Sequence, residues 1–180
     1  MSGMLENLNS IEWSKISHAY GPAADVPNHI RALLSPNTKE FESAIHQLLG
    51  NIWHQGTVYE ATAYAVPFLY EVLLCPACRC RIDVLYLLIS IANGSSYNQV
   101  HGQVGAPKDK VSKADFDTQL ERELVWVKTA FDAVAEGRES LTVLLRDDDV
   151  NIRIASAFLL GFLRVDVERA ITSLTENITS

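Results

Sequence analysis

The sequence predicts an all-α protein: a short right-handed α-solenoid of about nine helices, with one long insertion between repeats. Three observations carry this expectation. The stretch 54–90, HQGTVYEATAYAVPFLYEVLLCPACRCRIDVLYLLIS, reads as helix, turn, helix, with both helices apolar on more than one side. Such helices need neighbours to cover them. The pattern also recurs at fixed offsets. Leu34 is followed at +10 and +15 by Ala44 and Leu49, Leu74 by Val84 and Ile89, and Leu145 by Ala155 and Leu160. Finally, the first two anchors lie 40 residues apart, within the range of two-helix repeats, and the next two 71 apart. The longer gap leaves room for an insertion of about 30 residues beyond one period.

The elements follow in order. Leu5, Leu8, Ile11 and Ile16, near helical spacing, predict a first helix over 5–17, ended by Gly21-Pro22. Asp25 is a good N-cap, and Pro27 suits the first turn of a helix running to about Leu34. Asn37 with Glu40 resembles a capping box for a helix from 38 to about 53, burying Phe41, Ala44, Ile45, Leu48, Leu49 and Ile52. Thr57 with Glu60 reads as a second capping box. The helix behind it contains Pro67 and ends at Cys75-Pro76; the next spans about 78–93 and stops at Asn93-Gly94. Residues 94–113 form the one long irregular stretch, with Gly94, Gly102, Gly105 and Pro107. Helices over 114–136, 139–146, 149–163 and about 167–178 complete the chain. Asp147, Asp148 and Asp149 favour the positive end of the third of these.

Two segments carry a family resemblance. AVPFLYEVLL (65–74) and LLRDDDVNIRIASAFLLGFL (144–163) resemble HEAT repeats of the phycobilisome-lyase-like type, with Arg153, Ala155, Leu160 and Gly161 at the pattern's positions. HAYGPAADVP (18–27) and HQGTVYEATAYAVPFL (54–69) also resemble a bacterial HEAT-repeat group. The resemblance implies a HEAT-like, armadillo-like solenoid whose usual work is protein binding. It does not bring lyase activity with it, because a fold does not carry its chemistry.

Composition bounds the function. The chain has 180 residues, 48% hydrophobic, and a net charge of −7. One domain over 1–180, with a sizeable core, is expected. Residues 1–100 carry five Lys/Arg against eight Asp/Glu, and 101–180 ten against fourteen. Neither half offers a basic field, which argues against nucleic acid and anionic membrane as partners. No signal pattern opens the sequence and no apolar run is long enough to span a bilayer, so a cytoplasmic protein is expected.

Three groups of residues are candidate sites. His18, Tyr20, His54 and Tyr59 lie at comparable helix ends about one repeat apart, and stacking brings them to one edge. They suit acid–base chemistry or, more simply, hydrogen-bond turn backbones and fill gaps. On the second helices, Lys39, Glu42, His46 and Gln47 align with Arg79, Asp83, Tyr86 and Leu87, a mixed stripe suited to a protein partner or an ordinary solvated face. Tyr97 and His101, with Val100 and Val104, give the insertion more apolar character than a linker needs, and it is expected to order against a partner. Cys75-Pro-Ala-Cys78-Arg-Cys80 supplies half a zinc site or a redox pair, but a second ligand pair and a βαβ context are missing. Three free thiols at an inter-helix turn, and no bound metal or cofactor, are expected. Nucleotide-binding, hydrolase and metalloprotease motifs are absent from the sequence. The leading expectation is therefore a non-catalytic adaptor or an inhibitor of the immunity type that binds another protein. The alternative is an enzyme of the bilin-lyase or hydrolase kind using the His/Tyr edge.

Overall fold

The computed structural model describes residues 4–101 and 113–163. They are mostly helical. The α-helices are α1 (Val26–Ala32), α2 (Thr38–Asn51), α3 (Glu60–Leu73), α4 (Arg81–Ala92), α5 (Tyr97–His101), α6 (Lys113–Glu136) and α7 (Arg138–Leu144), followed by α8 (150–163). Two antiparallel hairpins interrupt them: β1 (Ser17–His18) with β2 (Gly21–Pro22), and β3 (Trp53–His54) with β4 (Thr57–Val58). The helix expected over 167–178 lies outside the described residues. Among the described residues no helix is long and apolar enough to cross a membrane.

The repeat read from the sequence reappears as a burial pattern. The residue before each anchor is buried: Leu33, Leu73 and Leu144. Four positions on the following helix are buried in all three units. They are Ala44, Ile45 and Leu48 on α2 with Ile52 at its C-cap; Val84, Leu85, Leu88 and Ala92 on α4; and Ala155, Ser156, Leu159 and Leu163 on α8. Their spacing keeps them on one helical face. One correction follows. Leu49 and Leu160 are equivalent, but they are only half-buried; their neighbours Leu48 and Leu159 are fully enclosed.

The start of the chain also differs from expectation. No α-helix forms over 5–17. The segment makes two 3-10 turns, Glu6–Ser10 and Trp13–Lys15, and then enters β1. Short polar side chains compete for the backbone here: the Ser10 hydroxyl donates to the Asn7 carbonyl at 2.7 Å. Trp13 is buried, and its Nε1 donates to the Leu8 carbonyl at 2.7 Å.

Thr57 is not a helix cap. It sits in β4 and shares its hydroxyl between the His54 carbonyl and the Tyr59 hydroxyl, each 2.7 Å away. The cap of α3 is Tyr59, whose N–H donates to Thr62 Oγ1 at 2.8 Å. Glu60 instead reaches across to the first hairpin, accepting from the Ser17 N–H and hydroxyl, both at 3.1 Å. Asn37 does cap α2, its side chain accepting from the Lys39 N–H at 3.1 Å.

The insertion is only partly irregular. Gly94–Ser96 runs beside the second hairpin: Val58 N–H donates to the Ser95 carbonyl at 3.1 Å, and Ser95 N–H to the Gly56 carbonyl at 2.8 Å. A Cβ on Gly94 would meet Val58 Cγ1 at 2.4 Å, so this close approach requires glycine. α5 follows, and Asn98 binds the buried Glu123 of α6 through its N–H (2.8 Å) and side-chain amide (3.1 Å). Residues 102–112 lie outside the described residues. α6 packs chiefly against α3. Gly137 separates α6 from α7 where the Tyr70 ring abuts the backbone; an added Cβ would stand 2.1 Å from that ring.

Candidate functional site

The two hairpins share one edge, and most of the His/Tyr candidates meet there. In β3–β4 the two loop residues, Gln55 and Gly56, both have positive φ (49° and 91°), the conformation of a tight hairpin turn matched to strand twist. Of the residues thought to lie at helix ends, His18, Tyr20 and His54 are therefore hairpin residues, and Tyr59 alone sits at a helix end, as the N-cap of α3. Tyr20, exposed in the first hairpin, places its hydroxyl 3.3 Å from His54 Nδ1, with the rings edge-on at 5.5 Å. The Tyr59 hydroxyl oxygen accepts from Thr57 Oγ1 at 2.7 Å. Burial pushes the Tyr59 phenol up, the Thr57 bond opposes it, and nearby Tyr97, Tyr20 and Glu123 add to the rise. Tyr97 lies against His101 with ring centres 4.8 Å apart.

His18 has a different role from the one its sequence position suggested. Its Nδ1 accepts the Tyr20 N–H at 3.0 Å, so the neutral ring carries its proton on Nε2 and donates it to Asp25 Oδ1 at 2.9 Å. Asp25 Oδ2 accepts from the Asn51 side-chain amide at 2.7 Å and lies 3.2 Å from His29 Nε2. Asp25 does occupy the N-cap position of α1, but its carboxylate makes no capping bond. Burial would raise that carboxyl; the His18 hydrogen bond, with the backbone bond to the carboxylate and the nearby His29, outweighs it and lowers it. The result is a clasp joining the first hairpin, α1 and the end of α2. The backbone bond from Ala19 N–H to the Asn51 carbonyl, 3.0 Å, reinforces it.

This arrangement limits the chemistry. With Nδ1 accepting and Nε2 donating, His18 has no lone pair left for a substrate proton. Nor does Nε2 suit a metal: coordination there would put the proton on Nδ1, against the Tyr20 N–H. Among the described residues no group of three or more His, Cys, Asp or Glu is placed to hold a metal ion. Local sequence shows Asp25 and His29 at i, i+4, a visible signal for a pair. Nothing local points to Asn51, which joins from another helix.

The helical face behaves differently. His46 and Gln47 on α2 and Tyr86 on α4 are exposed, Asp83 is half-buried, and Leu87, aligned with that stripe, is fully buried. Leu87 leaves the stripe because α4 is covered on more sides than α2 and has little surface left. Residues the alignment missed complete the face. Ile154 and Phe158 of α8, one turn apart, stand beside Tyr86 and Ile89, with Asn151 and Ala155, around a groove of about 300 Å³. Tyr86 is 58% exposed and Phe158 60%. Arg81 at the start of α4 sets the spacing, its guanidinium reaching Asp147 in the turn before α8 at 2.5 Å.

Comparison with known proteins yields no relative: no family model, curated protein or solved structure matches this chain.

Proposed function

We propose that this chain is a short right-handed HEAT-like solenoid of about nine helices that binds another protein without catalysing a reaction, as an adaptor or an inhibitor of the immunity type. The threefold burial pattern supports the solenoid reading: each unit presents the same inward face to its neighbours, the condition for repeat stacking. The observation that carries the binding reading is the groove between α4 and α8. Two aromatic rings, Tyr86 and Phe158, stand more than half exposed around an apolar trough. Exposed, clustered aromatic and aliphatic side chains are the usual anchors of protein interfaces. The partner suited to this trough is a protein segment that inserts an apolar side chain. The His/Tyr edge takes a supporting part, because its buried member, His18, is consumed by the clasp on Asp25.

The test is capture from the native host by the immobilised full chain, compared with Phe158→Glu and Ile154→Glu. A specific partner retained by the native chain and lost by both variants supports the reading. Retention by both variants, with loss in Tyr20→Ala or His54→Ala, would move the binding surface to the hairpin edge and overturn it.

A further inference from the structure

The turn between α3 and α4 holds three cysteines, all buried. The pair that the C-x-x-C spacing singles out, Cys75 and Cys78, is not the pair brought together. Cys78 Sγ and Cys80 Sγ lie 3.3 Å apart. Both thiols also point at one acceptor, the carbonyl of Leu33 at the end of α1, at 3.4 Å and 3.3 Å. Helix-end carbonyls lack partners within their own helix, so these thiols cap α1 from the next unit. Cys75 makes neither contact. Of the pair, Cys78 keeps 7% of its surface exposed and Cys80 none.

We propose that Cys78 and Cys80 form a reversible redox site, a dithiol that hydroperoxides oxidise to an intramolecular disulfide. Two sulfurs at 3.3 Å need approach by only about another 1.3 Å to reach bonding distance, a movement within the reach of side-chain rotation. The roles follow from exposure and charge. Cys78 is the attacking sulfur: it alone of the pair meets solvent. The Cys80 S–H hydrogen bond holds its thiol below the usual cysteine range despite burial, and the Arg81 guanidinium adds to the lowering. Cys80, donating that bond from a buried position, is held above it.

The Cys78 thiolate attacks one oxygen of the peroxide; the O–O bond breaks, and the departing oxygen takes a proton and leaves as water or alcohol. Cys78 is now a sulfenic acid. The Cys80 sulfur then gives up its proton and attacks the Cys78 sulfur. The S–O bond breaks and a water leaves. Two thiols have lost two protons and two electrons, and the peroxide has gained them. A dithiol reductant reverses the step by exchange. The pair carries two S–H protons, one bridging the sulfurs and one left for the Leu33 carbonyl; oxidation removes both, so it unhooks the end of α1 from the turn that follows α3. The same turn is tied onward to Asp147 through Arg81, which makes it the junction between units.

The experiment treats the full native-sequence chain with hydrogen peroxide, blocks remaining thiols, and maps tryptic fragments before and after reduction. Arg79 lies between the two cysteines, so cleavage there leaves two fragments tethered only if Cys80 is linked to Cys78 or to Cys75, and a tether that persists in Cys75→Ala assigns the link to Cys78. Expected results are an intact mass lower by two hydrogens, a fragment ending at Arg79 tethered to Cys80-Arg81, and release of both by dithiothreitol. Cys75→Ala should behave alike, and amide exchange at Leu33–Ser35 should quicken severalfold on oxidation. A link between Cys75 and Cys78, oxygen added to sulfur without any link, or three unchanged thiols under excess peroxide would each overturn the proposal. Unchanged exchange at Leu33–Ser35 in the linked form would overturn the unhooking. Because the map uses the native sequence, it stands even if Cys78→Ser or Cys80→Ser fails to fold.

Discussion

Helices α2 and α8 hold the same place in their units and bury the same positions, yet they turn opposite chemistry outward. Inward, Ala44, Leu48 and Ile52 on α2 match Ala155, Leu159 and Leu163 on α8. Outward, Lys39, Ser43, His46 and Gln47 on α2 match Val150, Ile154, Ala157 and Phe158 on α8, and all eight are exposed. The inward match is a match of core positions, since each of these side chains is buried. The outward difference has no stability rationale in the described residues, because an exposed Phe gains little from folding. The comparison separates two demands on one helix. Packing sets the inner face alike in every unit, and the outer face is free to differ where a surface is used.

Four measurements break or sharpen that comparison. The largest effect is expected at the innermost matched position. Leu48→Ala, Leu88→Ala and Leu159→Ala should each cost about 2–5 kcal/mol in urea unfolding, whereas the half-buried neighbours Leu49→Ala and Leu160→Ala should cost clearly less. A negligible loss at Leu159 beside a large one at Leu48 would end the equivalence of the two helices.

Next comes the junction that admits the third unit. Gly137→Ala places a Cβ 2.1 Å from the Tyr70 ring. It should destabilise the chain by about 1–3 kcal/mol through forced displacement of that ring, and a thermal melt unchanged from the native one would contradict the close approach.

The ion pair that fixes α8 against α4 is expected to matter less. The side chains of Arg81 and Asp147 are 16% and 15% exposed, so Asp147→Asn should cost about 1–2 kcal/mol near neutral pH. The Arg81 hydrogen bond holds the Asp147 carboxyl below its ordinary 3.8. A carboxyl lowered by folding contributes stability above its unfolded pKa and loses it as pH falls through the folded one. Acid titration below about pH 5 should therefore cost the native chain stability that Asp147→Asn does not lose. Parallel acid profiles for the two would exclude the pair as a stabilising tie.

The smallest effect is a gain. Ser156 stands where the other units have Ile45 and Leu85, fully buried, with no partner for its Oγ among the described residues. Ser156→Ala removes an unsatisfied buried hydroxyl and should raise stability by about 1 kcal/mol, seen as a higher urea midpoint. A loss instead would mean that the hydroxyl has a use in the folded chain.

The helix pairs were legible because helical periodicity is local. Offsets of three, four and seven residues put Leu48, Leu88 and Leu159 on inner faces whatever surrounds them. The one-position slip to Leu49 and Leu160 came from choosing among adjacent leucines, which periodicity alone cannot rank. The hairpins were not legible. Two-residue strands carry no alternation to read, and Gly21 and Gly56 serve equally as helix stops and turn residues.

What the sequence by itself determined is the run of helices α1 to α4 and α6 to α8, the cap at Asn37, the break at Gly137, and the inward face of α2, α4 and α8; it read the segment holding α5 as irregular. These depend on residues close in the chain. Only the tertiary structure decided that Asp25 leaves its capping role for His18, His29 and Asn51, that Cys80 and not Cys75 meets Cys78, and that Tyr86 shares a groove with Phe158. Each of these choices joins residues by geometry that no local pattern encodes. Asn51 lies 26 residues from Asp25, and Leu33 lies 45 from Cys78. A hydrogen bond or an apolar contact forms where the folded backbones deliver the atoms, and the packing of the helices and hairpins sets that delivery.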